Sequence, residues 1–407
     1  MNTPSRRSVL GAALGTASLS ATSLSATSLS ATSLSATSLS AVRTANAAAG
    51  TTATALPRVT RNGTRLVAAG RTVRFAGVNA YWLGLNDNVR VRGVATLPSA
   101  ATVDGLFVAA RDLGGTVVRI HTLGTSYGDA EGNGTPTLMP RPGVYRADVW
   151  AHLDRVVDSA GRHGQRVVVV MSDRWDRYHG SGVELARLVL GRSLSQRAAR
   201  SAFYRDPRVR STFGDYLVAW LTHRSSISGL RYADDPTILA VELGNEMYDV
   251  PHDWTRQMAA LAKSVAPDVL VVDPAAGLWL SQTTTSLTCP DVDLVGVHGY
   301  PRSIAAVREA VDLAGRAGKV VMVGEYDWTT TRQDGLPKEG PEDGTRAQWY
   351  AALEAAPGLG VTAAWTLLVP SAGDHRDGYE LYRPPQNAAQ RAGATALLAH
   401  LRRFATM

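Results

Sequence analysis

Two glutamates end apolar, β-branched runs of the sequence, at positions where a carboxylate can do chemistry. Glu246 follows Asn245 at the end of the run Thr237–Glu246, and Glu325 ends the run Lys319–Glu325. A charge at the end of a buried strand is tolerated where it is paired or functional. Two such carboxyl groups about 5–5.5 Å apart can cleave a glycosidic bond through a covalent intermediate. The Asn-Glu pair could alternatively start a helix, with Asn as the cap and Glu favourable to the helix dipole.

The ends of other apolar runs carry residues that can bind or orient a sugar. They are Asn79-Ala80-Tyr81-Trp82, Arg119-Ile120-His121, Asp173-Arg174-Trp175, His298-Gly299-Tyr300 and Trp365. Each tryptophan could instead be an ordinary core residue, which is the commoner role. We expect His121 to point away from Arg119 on the same strand, so it is not among the predicted site residues.

From about Pro57 onward, eight apolar runs alternate with longer amphipathic stretches, and these elements must position the residues above. The runs are Val73–Asn79, Thr116–His121, Arg166–Ser172, Thr237–Glu246, Val269–Asp273, Asp293–His298, Lys319–Glu325 and Val361–Thr366. This alternation is typical of a parallel sheet whose outer face is covered by helices. An open doubly wound sheet is the alternative, but no Gly-rich phosphate turn follows the first run. Because polar residues end nearly every run, we predict an α/β fold, a single (β/α)8 TIM barrel with its site at the carboxyl ends.

Helical patterns and a hairpin signal complete the predicted fold. The helical patterns lie near Val103–Leu113, Val149–His163, Val209–His223, Trp254–Val265, Ile304–Ala317, Thr345–Ala355 and Ala388–Phe404. The stretch between Asp273 and Asp293 has a weaker helix signal. Asn62-Gly63 within Arg58–Ala69 separates two short β-prone runs and is a hairpin turn signal. We therefore expect a short N-terminal β-hairpin over one end of the barrel.

The strand-end residues together resemble glycoside hydrolase family 5 and its wider clan of (β/α)8 retaining hydrolases. That family has Arg at the end of strand two, Asn-Glu on strand four, His-x-Tyr on strand six, Glu on strand seven and Trp on strand eight. The matching residues here are Arg119, Asn245-Glu246, His298-Gly299-Tyr300, Glu325 and Trp365. The resemblance covers essentially the whole mature chain. It implies that Glu246 is the acid/base and Glu325 the nucleophile.

Two further segments look most like the β-mannanase-like members of that family. Phe75–Trp82 resembles their opening strand, and Asp173–Gly180 is similar to their strand-three loop, with departures at Asp173, Arg174 and His179. The resemblance thus implies cleavage of a β-linked polysaccharide or oligosaccharide, with β-1,4-mannan as the leading substrate. A cellulase or other β-glycan hydrolase of the same family is one alternative. The alternative from another class is a catalytically inactive barrel that binds carbohydrate.

The spacing of the two glutamates agrees with these roles. Glu246 and Glu325 are 79 residues apart, close to three βα units, so they face each other across the barrel mouth. We expect hydrogen bonds from Arg119 and Tyr300 to keep Glu325 ionised. The charge of Glu325 should in turn raise the pKa of Glu246 so that it can donate a proton.

The remaining candidates are expected to contact or support the substrate. Asn245 should hydrogen-bond the sugar 2-hydroxyl, His298 and Tyr300 should orient the carboxylates, and Trp365 should pack under the reacting sugar. Trp82 and Trp175 are candidate walls of neighbouring subsites, and Tyr81 is a further substrate-binding or supporting residue. No His, Cys or Asp cluster has the sequence spacing of metal ligands, so we expect neither a metal nor another cofactor.

The N-terminal segment carries the features of an export signal in order. Arg6-Arg7 precedes an uncharged stretch in which Leu-Ser-Ala-Thr-Ser occurs four times from Leu19 to Ser38, and Ala45-Asn46-Ala47 gives a cleavage site. We predict a twin-arginine-type signal peptide over 1–47, a disordered mature N-terminus over 48–56 and the catalytic domain over 57–407. The alternative is a disordered Ser/Thr-rich tail. A transmembrane anchor is disfavoured because it would place many hydroxyls in hydrocarbon.

Composition excludes several classes of partner. Removal of Arg6, Arg7 and Arg43 lowers the formal charge by three, from +7 to +4, and the chain has 7% aromatic residues and no Lys/Arg block. Nucleic-acid binding is therefore not expected. The single cysteine, Cys289, excludes an internal disulfide and should be buried. We predict a secreted bacterial monomer that contacts no membrane after signal removal.

Overall fold

Eight parallel strands form a closed barrel in the computed structural model, which describes residues 56–121, 134–176, 179–275, 277, 283–330, 332 and 341–407. The strands are β1 (Phe75–Asn79), β2 (Val117–Ile120), β3 (Arg166–Val170), β4 (Ile238–Glu242), β5 (Leu270–Val272), β6 (Leu294–Gly299), β7 (Val320–Tyr326) and β8 (Leu359–Ala364). Pairing of β8 with β1 closes the barrel. Every residue of these strands is buried, which explains their near-continuous apolar sequences. The predicted (β/α)8 barrel is confirmed.

Helices connect the strands and cover the outside of the barrel. Within the described residues they are α1 (Ala100–Asp112), α2 (Ala147–Arg162), α3 (Gly182–Leu190), α4 (Gln196–Arg205), α5 (Pro207–Thr222), α6 (His252–Val265), α7 (Thr283–Thr288), α8 (Ile304–Arg316), α9 (Arg346–Ala355) and α10 (Ala388–Thr406). The seven predicted helices are confirmed, each end within about one turn. α7 lies in the stretch with the weaker helix signal, and α3 and α4 are additional.

The start signals of α3 and α4 are nevertheless present in the sequence. Ser181 Oγ accepts a hydrogen bond from the backbone N–H of Glu184, and Ser195 Oγ accepts one from Ala198. Ser-x-x-Glu at Ser181 is a typical start of a helix. The two helices have nine and ten residues, so neither is long enough to show a clear apolar period.

A three-stranded antiparallel sheet precedes β1 and closes the amino-terminal end of the barrel. Its strands are Val59–Asn62, Arg65–Ala68 and Arg71–Val73. Leu66 belongs to the same buried cluster as Val117 and Val320, the first residues of β2 and β7. Arg61 Nε lies 3.0 Å from Oδ1 of Asp293, the residue before β6. The predicted hairpin is confirmed, and it leaves the carboxyl ends of the strands as the open mouth.

A close approach of β1 to β2 helps to position the mouth residues. A Cβ atom on Gly77 would lie 1.7 Å from the carbonyl oxygen of Val117, so only glycine fits at this position. The same pairing sets Asn79 opposite Arg119 at the carboxyl ends of the two strands. Asn79 and Arg119 are therefore adjacent because the backbones of β1 and β2 lie close together.

The strand that leads to Glu246 is shorter than predicted. β4 ends at Glu242, so the predicted run Thr237–Glu246 extends too far. Glu246 has a φ of +50°, in the left-handed region that a strand does not use. Asn245 forms an isolated bridge with Asp173, beyond the end of β3. Glu246 therefore belongs to the turn that follows β4.

Some predictions fall on other parts of the chain. The predicted signal peptide, 1–47, and the predicted disordered segment, 48–56, lie outside the described residues apart from Leu56. In the ranges that the structure describes, no helix has both the length and the apolar composition needed to cross a bilayer. Cys289 is buried, as predicted.

Candidate active site

Arg119, at 1% exposure, forms the centre of a hydrogen-bond network at the barrel mouth. Its Nε and Nη2 donate to the two carboxylate oxygens of Glu242, both at 2.7 Å. Nη1 donates to Glu325 Oε1 at 2.7 Å, and Nη2 also donates to Asn245 Oδ1 at 2.8 Å. Burial acts against the guanidinium charge, but the charges and hydrogen bonds of Glu242 and Glu325 raise the pKa of Arg119. The guanidinium thus fixes three side chains, two at the carboxyl end of β4 and one on β7.

Glu325, on β7, is held as a carboxylate. Besides the bond from Arg119, its Oε1 lies 3.3 Å from His121 Nε2, and its Oε2 lies 3.7 Å from His298 Nδ1. Burial favours the neutral acid, but the charge of His298, the hydrogen bond from His121 and the charge of Arg119 lower the pKa of Glu325 to about 2. The structure shows the predicted contact with Arg119 and an ionised group suited to nucleophilic attack.

Glu246 has a donor on each carboxylate oxygen. His298 Nδ1 lies 2.9 Å from Oε1, and Trp175 Nε1 donates to Oε2 at 2.7 Å. Burial and the charge of Glu325 raise the pKa of Glu246, but the hydrogen bond and charge of His298 and the bond from Trp175 outweigh them and lower it. The predicted upward shift is therefore wrong, because His298 and Trp175 together outweigh burial and the like charge of Glu325.

His298 lies between the two glutamates because of an irregularity in the sheet. The register of β6 and β7 shifts between Val297 and His298, which makes His298 the partner of Glu325 across the ladder. Burial disfavours the imidazolium, but the charge of Glu325 and the hydrogen bond and charge of Glu246 raise the pKa of His298. Both carboxylates thus favour the protonated form of His298.

His121 and Asp173 belong to the site, although neither is among the predicted site residues. His121 Nε2 lies 2.7 Å from Arg119 Nη1, and Nδ1 lies 3.0 Å from Asp173 Oδ2. Alternate residues of a strand point to the same side, so the expectation that His121 points away from Arg119 is wrong. Asp173 also accepts a bond from the backbone N–H of Trp175 at 2.8 Å. The even offset from Arg119 is the signal that could have identified His121.

Tyr300 does not make the predicted bond to Glu325. Its hydroxyl is buried and has no hydrogen-bond partner among the described residues. The shifted register brings His298 Nδ1 to Glu325 Oε2 instead. Burial and then the charges of Glu325 and Asp377 raise the pKa of Tyr300, so the phenol keeps its proton and can donate it in a hydrogen bond.

Trp365, the residue after β8, is oriented by the loop that follows it. Its indole Nε1 donates to Asp377 Oδ2. Tyr81 stacks on Trp365 with ring centroids 5.3 Å apart, and the Tyr81 hydroxyl lies 2.7 Å from His375 Nδ1. His375 Nε2 lies 2.9 Å from Asp377 Oδ2, so Trp365, Tyr81, His375 and Asp377 form a closed ring of contacts. Tyr81 is therefore a supporting residue of Trp365, which is 4% exposed.

The two other tryptophans have different surroundings. Trp82 is fully buried, and its Nε1 donates to the carbonyl oxygen of Leu367 at 3.0 Å. The prediction that Trp82 lines a subsite is wrong, because its ring packs in the core beneath the mouth. Trp175 is 36% exposed and bonded to Glu246, which is where a wall of the cleft is expected.

Three site residues also have the geometry of a possible cation site. One ligand atom each from Glu246, His298 and Glu325 lies within 4.8 Å of the others. The expectation that no such cluster exists considered sequence spacing alone, and the barrel brings together residues that are far apart in the chain. Hydrogen bonding between His298 and Glu246 already accounts for part of this closeness.

A parallel eight-stranded barrel that brings two carboxylates together at its mouth has the architecture of a glycoside hydrolase. Residues 58–304 match the family model described as GH family 5 beta-mannosidase-like, which is more than half of the chain. The chain belongs to glycoside hydrolase family 5.

Named relatives and solved structures agree with this assignment. The chain is 30% identical over 280 residues to "Mannan endo-1,4-beta-mannosidase 2" of Oryza sativa subsp. japonica, covering 61% of this chain. It spans 59% of that relative, less than two thirds of its length. An endo-beta-1,4-mannanase structure from Thermotoga petrophila has a TM-score of 0.65 and 21% identity, covering 83% of this chain and 78% of the other. An endo-1,4-beta-mannanase structure from Rhizomucor miehei has a TM-score of 0.66 and 17% identity, covering 86% and 100%. These two structures share the fold.

Proposed function

We propose that this chain is a retaining β-glycoside hydrolase, most similar in activity to a β-mannanase. The observation that carries the proposal is the separation of the two glutamates, whose nearest ligand oxygens lie within 4.8 Å. Retaining enzymes place their carboxyl groups about 5–5.5 Å apart, whereas inverting enzymes leave roughly 6.5–9.5 Å for a water. The short separation favours a covalent intermediate over direct attack by water.

In the first step, Glu325 attacks the anomeric carbon and the bond from that carbon to the leaving oxygen breaks. Arg119 and His121 keep Glu325 ionised until attack. The leaving oxygen takes a proton from Glu246. His298, whose pKa is raised by the two glutamates despite its burial, is proposed to supply that proton to Glu246, because its Nδ1 is 2.9 Å from Glu246 Oε1.

In the second step, Glu246 accepts a proton from water as the water oxygen attacks the same carbon. The bond to Glu325 breaks, and the sugar leaves with its original configuration. Asn245 is fixed through its Oδ1 by Arg119, and its Nδ2 donates to Asp173 Oδ1 at 3.3 Å. The second hydrogen of Nδ2 is proposed to donate to the sugar 2-hydroxyl. Trp365 is proposed to pack against the reacting sugar, and Tyr300 to donate from its hydroxyl, which has no partner among the residues that the structure describes.

The substrate panel that tests this function compares mannan, glucomannan, cellulose and xylan. The mannanase names of the relatives support mannan, as does the resemblance of Phe75–Trp82, so release of reducing ends should be fastest on mannan and glucomannan. Faster cleavage of cellulose or xylan would favour the other β-glycan hydrolases. Glu309→Gln, at an exposed position on α8, is the matched control and should cleave like the unaltered chain. Tight mannan binding without cleavage of any glycan would instead favour an inactive binding barrel.

We also propose that the chain is a bacterial protein secreted through a twin-arginine signal over residues 1–47. The support is the order of Arg6-Arg7, an uncharged stretch and Ala45-Asn46-Ala47. In a bacterial host, Arg6→Lys with Arg7→Lys should leave the chain inside the cell. Arg43→Lys should still be exported, and the exported protein should begin at Ala48 by mass spectrometry. Equal export of the pair variant would contradict the twin-arginine route.

A further inference from the structure

A cavity of about 350 Å³ lies beside the proposed acid/base and is not used by the mechanism above. Its lining includes Arg174, Arg200, Tyr204, Arg205 and Tyr248. Its volume is within the range of small-molecule sites, roughly 300–1,000 Å³. The cavity is bounded by the turn after β4 on one side and by α4 on the other.

The position of the cavity relates it to the leaving group. Met247, next to Glu246 in the chain, lines the cavity, and so does Asp173, whose carboxylate holds the backbone of Trp175. Because Glu246 protonates the leaving oxygen, the leaving sugar must lie next to Glu246. Arg174, the neighbour of Trp175 in the chain, also lines the cavity, so the cavity lies in the direction in which a saccharide would extend from that oxygen past Trp175.

The charge of the cavity is positive. Arg174, Arg200 and Arg205 line it, and among the residues that the structure describes none of the three forms an ion pair. The exposed Asp249 also lines it, and the buried Asp173 is engaged by His121. Three guanidinium groups against one exposed carboxylate leave an excess of positive charge, and an entering anion would relieve their mutual repulsion.

Aromatic rings stand beside the charges. The Arg174 guanidinium carbon lies 3.7 Å from the ring centroid of Tyr248 and 4.9 Å from that of Trp175. Both rings are partly exposed, at 38% and 36%. Stacking on rings orients a guanidinium group without using its donors, which stay available for a ligand. Exposed aromatic faces next to free donors suit a sugar ring that bears a charged group.

We propose that this cavity binds a carboxylate-bearing sugar, a uronic acid unit, on the leaving-group side of the scissile bond. The proposal rests on the hydrolase function above and adds one feature to its substrates, a uronic acid unit on the leaving-group side of a β-linked chain. Planar guanidinium forks match a carboxylate through paired hydrogen bonds, which a neutral hexose cannot form.

The test measures acceptor choice during turnover of dinitrophenyl β-mannoside. Glucuronate, glucose and the methyl ester of glucuronate are supplied at equal concentration, and transfer products are counted against hydrolysis. Glucuronate should be preferred over both neutral acceptors by about tenfold, because hydrogen bonds to charged groups in a half-exposed site give this order of discrimination. Arg200→Gln with Arg205→Gln should reduce the preference to about onefold. Arg197→Gln, on the same helix but outside the cavity lining, should retain it.

Two results would overturn the proposal. One is an equal use of glucuronate and glucose by the unaltered chain, and the other is the same preference in the double variant and in Arg197→Gln. Absence of any turnover of the mannoside would count against the hydrolase function instead. In that case, calorimetric titration with glucuronate still tests whether the cavity binds a uronic acid. The unaltered chain should bind glucuronate, and the double variant should bind it at least several-fold more weakly.

Discussion

Glu325→Gly should lose hydrolysis of dinitrophenyl β-mannoside by on the order of 10⁴-fold or more, because the attacking group is gone. Added azide should restore turnover, since a small anion fits the space left by the carboxylate. Azide then attacks from the side that Glu325 occupied, and with one displacement the product is the α-mannosyl azide. Product configuration is read by NMR.

Glu246→Gly provides the matched comparison. A dinitrophenolate leaves without a proton, so the covalent intermediate on Glu325 still forms and its hydrolysis becomes slow. Azide should then accelerate release and give the β-mannosyl azide, because two displacements occur. The α product from Glu246→Gly together with the β product from Glu325→Gly would reverse the two roles.

Arg119→Met should lower the free energy of unfolding by about 3–5 kcal/mol at pH 7, the typical cost of removing one partner from a buried ion pair. Arg119 has 1% exposure and bonds Glu242 and Glu325, so its loss leaves two buried carboxylates without their cation. The measurement is urea unfolding of the variant and of the unaltered chain. Arg197→Met, at an exposed position, should change the value by no more than about 0.5 kcal/mol.

The loss of stability in Arg119→Met should depend on pH, and the sign of this dependence follows from the pKa of Glu325. Its pKa is about 2 in the folded protein, below the value of about 4.3 in an unfolded chain. The ionised carboxylate therefore stabilises the fold above about pH 4.3, and this contribution is lost as the pH falls towards 2. Without Arg119 the pKa of Glu325 should rise, so the stability deficit of Arg119→Met should shrink between pH 7 and pH 4. A deficit that stays constant or grows would contradict this electrostatic account.

The barrel was predictable because each strand and each long helix has its own pattern of apolar residues in the sequence. A buried strand must be apolar, and a helix over it must be amphipathic, so the alternation from Val73 to Thr366 reveals the topology. The carboxyl ends of parallel strands meet at one edge, and this rule alone places Arg119, Asn245 and Glu325 together. The helices α3 and α4 were not predicted because they are short. Their capping serines give a weaker signal than a long apolar period.

The details of the site depend on distances that no sequence pattern encodes. The register shift at His298 decides which donor lies near Glu325. It brings the imidazole of His298, and not the hydroxyl of Tyr300, close to the carboxylate. The pKa of Glu246 reflects a balance between His298, Trp175 and Glu325, whose signs are predictable and whose sizes are not. Trp82 and Trp175 have similar positions at strand ends, and only packing distinguishes the core ring from the exposed one.

The backbone of Glu246 has a consequence for how this position can change in evolution. Its φ of +50° is a conformation in which glycine or asparagine costs the fold less than glutamate. Selection for stability alone would therefore replace this side chain. A glutamate persists at this position when selection for turnover outweighs selection for stability. In a descendant that is no longer selected for catalysis, glycine or asparagine should replace Glu246 before Arg119 changes, because the packing of the barrel depends on Arg119.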